Sequence, residues 1–172
     1  MRNRRRPPSF FPFLAATLLL AGQVLLMGLV PQPLWLAQNA LYRKTQFIIS
    51  WAVWLISMYF LFAPILILRR HGGVAKKASY VETQKLVTTG LYSLVRHPQY
   101  LGWLLMYLAL ICFNPNLWCT VCGMAGIVIM SWITRLEDRH LVSKFGEAYR
   151  RYQQEVPALN LLIGGLRLLK RR

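Results

Sequence analysis

Acidic residues are scarce in this chain. Asp and Glu number five among 172 residues, against 21 Lys and Arg, and charged residues of both signs make up only 15%. A soluble domain that is 56% hydrophobic, with mean hydropathy +0.38, would have too little polar surface to cover its core. A bilayer removes that requirement. Cysteine is scarce too: Cys112, Cys119 and Cys122, all in apolar sequence. They imply no disulfide framework. The Cys119–Cys122 spacing lacks the second Cys or His pair that zinc would need, so reduced thiols buried among apolar helices are expected. A P-loop, a glycine-rich nucleotide pattern, a nucleophile elbow, an internal repeat and a low-complexity tract are all missing. The formal charge of +16 comes with no base-reading motif, and the basic residues gather at the ends of apolar stretches. That excludes nucleic acid as the partner and fits the flanks of membrane spans.

Four apolar stretches are present, which predicts an all-α, polytopic membrane protein of about four transmembrane helices. The first, Ser9 to Val30, follows Arg2, Arg4, Arg5 and Arg6. Its length exceeds the apolar core of a cleavable leader and suits an uncleaved span. Pro31 and Pro33 end it. The second, Gln46 to Leu68, carries Pro64, which is expected to kink its last turns. The third and fourth, Tyr100 to Phe113 and Leu117 to Ile133, are joined by Asn114-Pro115-Asn116, a turn signal, and form a short helical hairpin. The third barely spans a bilayer unless it begins at Pro98. Gly123 and Gly126 share a face on the fourth, where another helix can approach closely. Nineteen Lys and Arg lie before the first stretch, between the second and third, or after the fourth; only Arg43 and Lys44 lie on the other side. The positive-inside rule then puts both termini and the middle loop in the cytoplasm, with the basic tail from Arg167 to Arg172 on anionic headgroups. No charged residue sits deep within a span, which argues against a transporter.

Two polar segments could carry chemistry. In the first, Leu86 to Gly102, Pro98 suits the first position of a helix and His97 its cap. Helix starts attract anions, and Arg96 and His97 add to that field. The same residues also suit a plain basic cap at a span entrance. The second, Arg135 to Pro157, continues the fourth span. It repeats Leu141, Phe145, Tyr149, Tyr152 and Val156 on one face, expected over the hairpin or in the membrane interface, with Gly146 breaking the helix. Glu137 and Asp138 stand where the span meets the cytoplasm and need partners there. Arg135 or Arg139 could serve, and so could a cationic ligand. Glu137 and His140 have an ExxH spacing, but the second copy and the extra glutamates of di-iron bundles are absent, so no metal is expected. His71, in a His-Gly-Gly loop, is expected to be solvated.

Taken together, the run Gly90-Leu91-Tyr92, then Arg96-His97-Pro98-Gln99-Tyr100 and Gly102, then the paired acids with Leu141, Phe145-Gly146, Tyr149, Tyr152 and Val156-Pro157 resembles the isoprenylcysteine carboxyl methyltransferase and phospholipid methyltransferase superfamily. The resemblance covers roughly Lys85 to Pro157. It departs at Asp138, where that superfamily usually has a second glutamate. It implies a membrane-embedded methyltransferase that uses S-adenosylmethionine on a lipophilic acceptor. It also implies His97, Glu137 and Arg135 as catalytic residues, with Arg96, His97, Pro98, Tyr100, Leu101, Glu137, Asp138 and Tyr149 around the cofactor. Residues 1–84 are then N-terminal spans and loop, 85–157 the cofactor-binding core and 158–172 a basic tail. The competing readings are an NADPH-dependent membrane reductase related to sterol reductases and a non-catalytic membrane assembly protein.

Overall fold

A computed structural model describes residues 10–73 and 83–170. Arg2, Arg4, Arg5 and Arg6, the loop lysines Lys76 and Lys77, and Arg171 and Arg172, all used in the topology reading, lie outside the described residues. The regular elements among the described residues are all helices: α1 (Phe10–Leu29), α2 (Leu34–Ala37), α3 (Ala40–His71), α4 (Leu91–Leu94), α5 (Pro98–Phe113), α6 (Leu117–Phe145), α7 (Glu147–Glu155) and α8 (Leu161–Lys170). Three helices, in α1, α3 and α6, are long and apolar enough to cross a membrane. The 16-residue α5 is shorter, about 24 Å at 1.5 Å per residue. Large apolar side chains such as Leu18, Leu25, Phe47, Phe62, Trp118 and Val128 are exposed along these helices, as a lipid solvent requires. The chain is an integral membrane protein.

The helix ends follow from local chemistry. Asn39 caps α3 by accepting the Tyr42 N–H at 2.9 Å, so α3 begins six residues before the apolar stretch does. It runs through Pro64 and closes where Gly73 takes a φ of 64°. Pro98 opens α5, and the Leu101 N–H reaches the His97 carbonyl at 3.0 Å, which makes His97 the N-cap residue. Asn116 caps α6 through the Cys119 N–H at 2.8 Å. The apolar, membrane-spanning part of α6 ends near Ile133, and the helix continues to Phe145 in polar sequence. Gly146, with φ 59° and ψ −134°, then breaks the chain before α7; that backbone conformation is open essentially to glycine alone.

The chain divides into two compact units. One comprises Met1–Ser57 with Trp103–Glu137, the other Met58–Gly102 with Asp138–Arg172. In the first, Tyr107 is fully buried and its hydroxyl donates to the Ala16 carbonyl. A Cβ on Gly126 would overlap the Tyr107 ring, and one on Gly123 would lie 2.7 Å from Ile111. The small-residue face of α6 therefore lets α5 approach. Asn114 Nδ2 donates to the Met27 and Val30 carbonyls at 2.9 and 2.8 Å. Gln46 Nε2 donates to those of Cys112 and Phe113 at 2.8 and 3.1 Å. These amides satisfy the end carbonyls of α1 and α5 that no helix bond reaches.

In the second unit, Gly102 lets α5 lie against α3, since a Cβ there would sit 2.8 Å from the Leu61 backbone nitrogen. Tyr149, Tyr152 and Val156 form a buried cluster with Leu86, Leu141, Val142 and Phe145. The aromatic face expected over the hairpin or in the interface thus closes on the interior of this unit. Within the basic tail, Arg167 departs from the expected place on headgroups. Residues 161–170 form α8, capped by Asn160 through the Ile163 N–H at 3.1 Å. Arg167 turns inward, donating to the Glu155 carbonyl and, at 2.6 Å, to that of Ser93.

Candidate functional site

The second unit gathers Arg96, His97, Pro98, Tyr100, Leu101, Asp138 and Tyr149. Gly90, at φ 62°, opens the single turn α4, and the chain then runs extended through Val95 toward the start of α5. The Arg96 and His97 N–H groups are held by the Pro157 and Ala158 carbonyls at 2.9 and 3.1 Å. This main-chain pairing fixes the two side chains. Pro98 and His97 are buried and Tyr100 is half-buried, its ring centroid 5.7 Å from that of His97. Leu101 is buried.

Asp138 is the centre of this arrangement. Its Oδ1 accepts from Tyr149 Oη at 2.6 Å and from His97 Nε2 at 2.7 Å, and its Oδ2 accepts from Arg96 Nη2 at 2.9 Å. The Arg96 and Asp138 side chains are only 10% and 17% exposed, so these are buried charge-assisted bonds. An ionised carboxylate only accepts, so His97 Nε2 carries a hydrogen and Nδ1 is the ring atom that can be free of one. Burial would raise the Asp138 pKa, but the hydrogen bond and charge of His97, with the bonds from Tyr149 and Arg96, outweigh it and hold the group well below the usual carboxylate range. Burial, then the bond to Asp138 and its charge, push the Tyr149 phenol above its usual value despite Arg96. Tyr152 is also pushed up, by burial; its hydroxyl donates to the Tyr92 carbonyl at 2.5 Å.

Arg96 has a second task. Its Nη1 donates to the Gln153 and Val156 carbonyls at 2.8 and 2.5 Å, capping the end of α7. Its three bonds are all internal, so the guanidinium braces the unit. The partner of Asp138 is therefore neither Arg135 nor Arg139, the sequence neighbours; both are exposed and neither forms an ion pair among the described residues. A helix turns about 100° per residue, which sends Glu137 and Asp138 in different directions. Glu137 is half-buried and has no hydrogen bond or ion pair among the described residues. Arg135 and Glu137 belong to the first compact unit, and His140 is exposed. Sequence reading named Tyr149 but not its hydroxyl's role. It missed Tyr92, Tyr152 and Arg167 as polar partners, although the buried-tyrosine spacing was the available signal.

Comparison with known proteins matches residues 45–148 to phospholipid methyltransferases. This range holds Arg96, His97, Pro98, Tyr100, Leu101, Arg135, Glu137 and Asp138, and stops one residue before Tyr149. A protein-S-isoprenylcysteine O-methyltransferase of Xenopus laevis is 32% identical over 92 residues, 51% of this chain and 31% of the relative. A methanethiol S-methyltransferase 2 of Bradyrhizobium diazoefficiens is 28% identical over 141 residues, 76% of this chain and 50% of the relative. A methanethiol S-methyltransferase of Crocosphaera subtropica is 34% identical over 88 residues, 46% of this chain and 31% of the relative. The chain thus spans from about a third to half the length of these curated relatives. No solved structure matches it. With the family match covering more than half of its length, the chain belongs to the phospholipid methyltransferase family.

Proposed function

We propose that the chain is a membrane methyltransferase that uses S-adenosylmethionine on a lipophilic or lipid-linked acceptor, with residues 85–157 as its cofactor-binding core. The observation that carries the reading is Asp138, a buried carboxylate held by His97, Arg96 and Tyr149 inside the segment that matches the family. Three donors on one acid at the end of an apolar helix are more than structural economy requires, because a buried ion pair adds little net stability over an apolar replacement. The residues at hand suit the cofactor. Glu137 is a carboxylate without a partner among the described residues and suits an ammonium or ribose hydroxyls. The start of α5 suits a carboxylate. The half-buried Tyr100 ring suits a sulfonium cation.

When bound, S-adenosylmethionine supplies a methyl group on a cationic sulfur, open to in-line displacement by the acceptor. The chain's work is then to align the reactants and exclude water. Asp138, held far below the usual carboxylate range, stays ionised and is too weak a base to take a proton at neutral pH. Its role is to orient His97 through Nε2, which leaves Nδ1 as the ring nitrogen that can face the proton of a thiol or amine acceptor. A carboxylate acceptor needs no base, and the exposed Arg135 cation suits its approach. The relatives' names include both an oxygen and a sulfur acceptor, and the two differ in whether His97 is needed as a base. The basic flanks favour a cytoplasmic site with both termini on that side, the acceptor entering from lipid and basic termini meeting anionic headgroups.

The test is calorimetry with purified protein and S-adenosylmethionine, followed by transfer of labelled methyl groups to a lipid extract and mass spectrometry of the product. Binding by the wild type, its loss in Glu137→Ala, and a labelled lipophilic product are expected. Absence of binding, with Glu137→Ala unchanged, would overturn the reading; NADPH binding in its place would favour a reductase.

A further inference from the structure

A second polar site lies within the first compact unit. A cavity of about 470 Å³ is lined by Gln32, Arg43, Lys44, Gln46, Phe47 and Phe113. The volume falls within the range of small-ligand pockets. We propose that it binds a phosphate group, carried by an anionic amphiphile of the leaflet on the Arg43 and Lys44 side. The proposal does not rest on methyl transfer.

Three observations support it. The first concerns charge. Arg43 and Lys44 are the two basic residues separated by sequence from all the other Lys and Arg, and both line this one cavity. The compact unit contains a single acid, Glu137, twenty residues beyond Leu117 along α6, and it does not line this cavity. Neither cation forms an ion pair among the described residues. The second concerns preorganisation. Gln46 Nε2 donates to the Cys112 and Phe113 carbonyls and, at 3.3 Å, to Gln32 Oε1. That chain of bonds fixes both carboxamides on the cavity wall and leaves the Gln32 N–H groups as donors. A guanidinium fork, an ammonium and an amide together present many donors and match the oxygens of a phosphate. The third concerns the apolar side. Phe47 and Phe113 both pack edge-on against Trp51. Phe47, Leu41 and Ile48 are more than half exposed, so the cavity adjoins surface suited to acyl chains. Aromatic rings with nearby cations are the usual furniture of a membrane boundary; the cavity turns that boundary into a concave site.

The experiment uses the full chain in phosphatidylcholine nanodiscs and reads thermal stability and lipid retention by native mass spectrometry. The probes are phosphatidylglycerol added to the disc and inorganic phosphate added to the buffer. Arg43→Gln/Lys44→Gln removes the charges. Ala40→Trp fills the cavity from another lining position and keeps them. Arg139→Gln/Lys144→Gln, on exposed positions of α6, is the charge-matched control. Retained phosphatidylglycerol and a raised melting temperature in the wild type are expected, with binding weakened roughly ten- to thirty-fold by loss of the two charges. Ala40→Trp should weaken it too, and the control should not. A response to inorganic phosphate equal to that of the lipid supports the site and identifies a free anion as its occupant. Equal loss in the control, an unaffected Ala40→Trp variant that still folds, or no response to either probe overturns the proposal.

Discussion

The two compact units solve one problem with different chemistry. Each must satisfy backbone carbonyls at helix ends beside an apolar environment. The first uses neutral carboxamides: Asn114 serves α1 and Gln46 serves α5. The second uses cations: Arg96 serves α7, and Arg167 reaches the Glu155 and Ser93 carbonyls. A carboxamide needs no counter-charge. A buried guanidinium does, and Asp138 supplies it while also taking His97 and Tyr149. The difference teaches where the chain accepts an expensive group, since buried ions are costly to desolvate. Among the described residues it does so only in the unit that carries the Arg96-His97-Pro98 motif.

The largest predicted effect breaks the charged side of this comparison. Asp138→Asn leaves Arg96 buried without its counter-ion and is expected to cost about 3–5 kcal/mol, read by thermal or denaturant unfolding of the solubilised protein, and to abolish methyl transfer. The paired change Arg96→Met with Asp138→Leu should recover only part of that stability, because His97, Tyr149 and the α7 carbonyls are left unpaired, and none of the activity. Recovery of both would show the network to be scaffold alone.

Acid should act through the same group. The folded-state pKa of Asp138 is depressed, so its contribution is present above the unfolded value, about 3.9, and is lost as pH falls from there toward the folded value. Tyr149 and Tyr152 are shifted upward, so their contribution is full below about pH 10 and lost as pH rises beyond it. Stability measured against pH should decline at both ends, and Tyr149→Phe should blunt the alkaline decline. An unchanged profile in that variant would contradict the assignment.

Smaller effects sharpen the contrast in packing. Gly102→Ala drives a Cβ against the backbone of Phe60 and Leu61, which cannot swing aside, and should cost about 1–3 kcal/mol. Asn114→Ala removes donors to two carbonyls and should cost about 1 kcal/mol per bond while leaving cofactor affinity intact. Loss of affinity in Asn114→Ala would blur the division between a neutral structural end and a charged working end.

Much of this fold was legible because it is written locally. Pro98 marks the start of α5, the two asparagines mark the hairpin turn, and Gly146 marks the break, since each acts within a few residues of itself. The long α3 was read short because Arg43, Lys44 and Thr45 interrupt its first six residues, so the apolar stretch begins later than the helix does. The site was legible only as a set of residue types. That Asp138 would choose Arg96, 42 residues away, over the adjacent Arg139 depends on the three-dimensional return of the chain, which periodicity does not encode. The same holds for Arg167, which composition assigns to lipid headgroups and which the fold turns to the ends of α4 and α7. The four-residue α4 is too short to show a period, and it meets α8 where Gly164 approaches Leu94.

The most direct test is a calorimetric titration of S-adenosylmethionine into wild type, Asp138→Asn and Asn114→Ala under conditions where all three are folded. The account predicts binding by the wild type and Asn114→Ala with matching affinity, and a loss of at least about tenfold in Asp138→Asn, the scale of the charge-assisted bond through which Asp138 holds His97 at the start of α5. Equal affinity in all three, or no binding by the wild type, would contradict it.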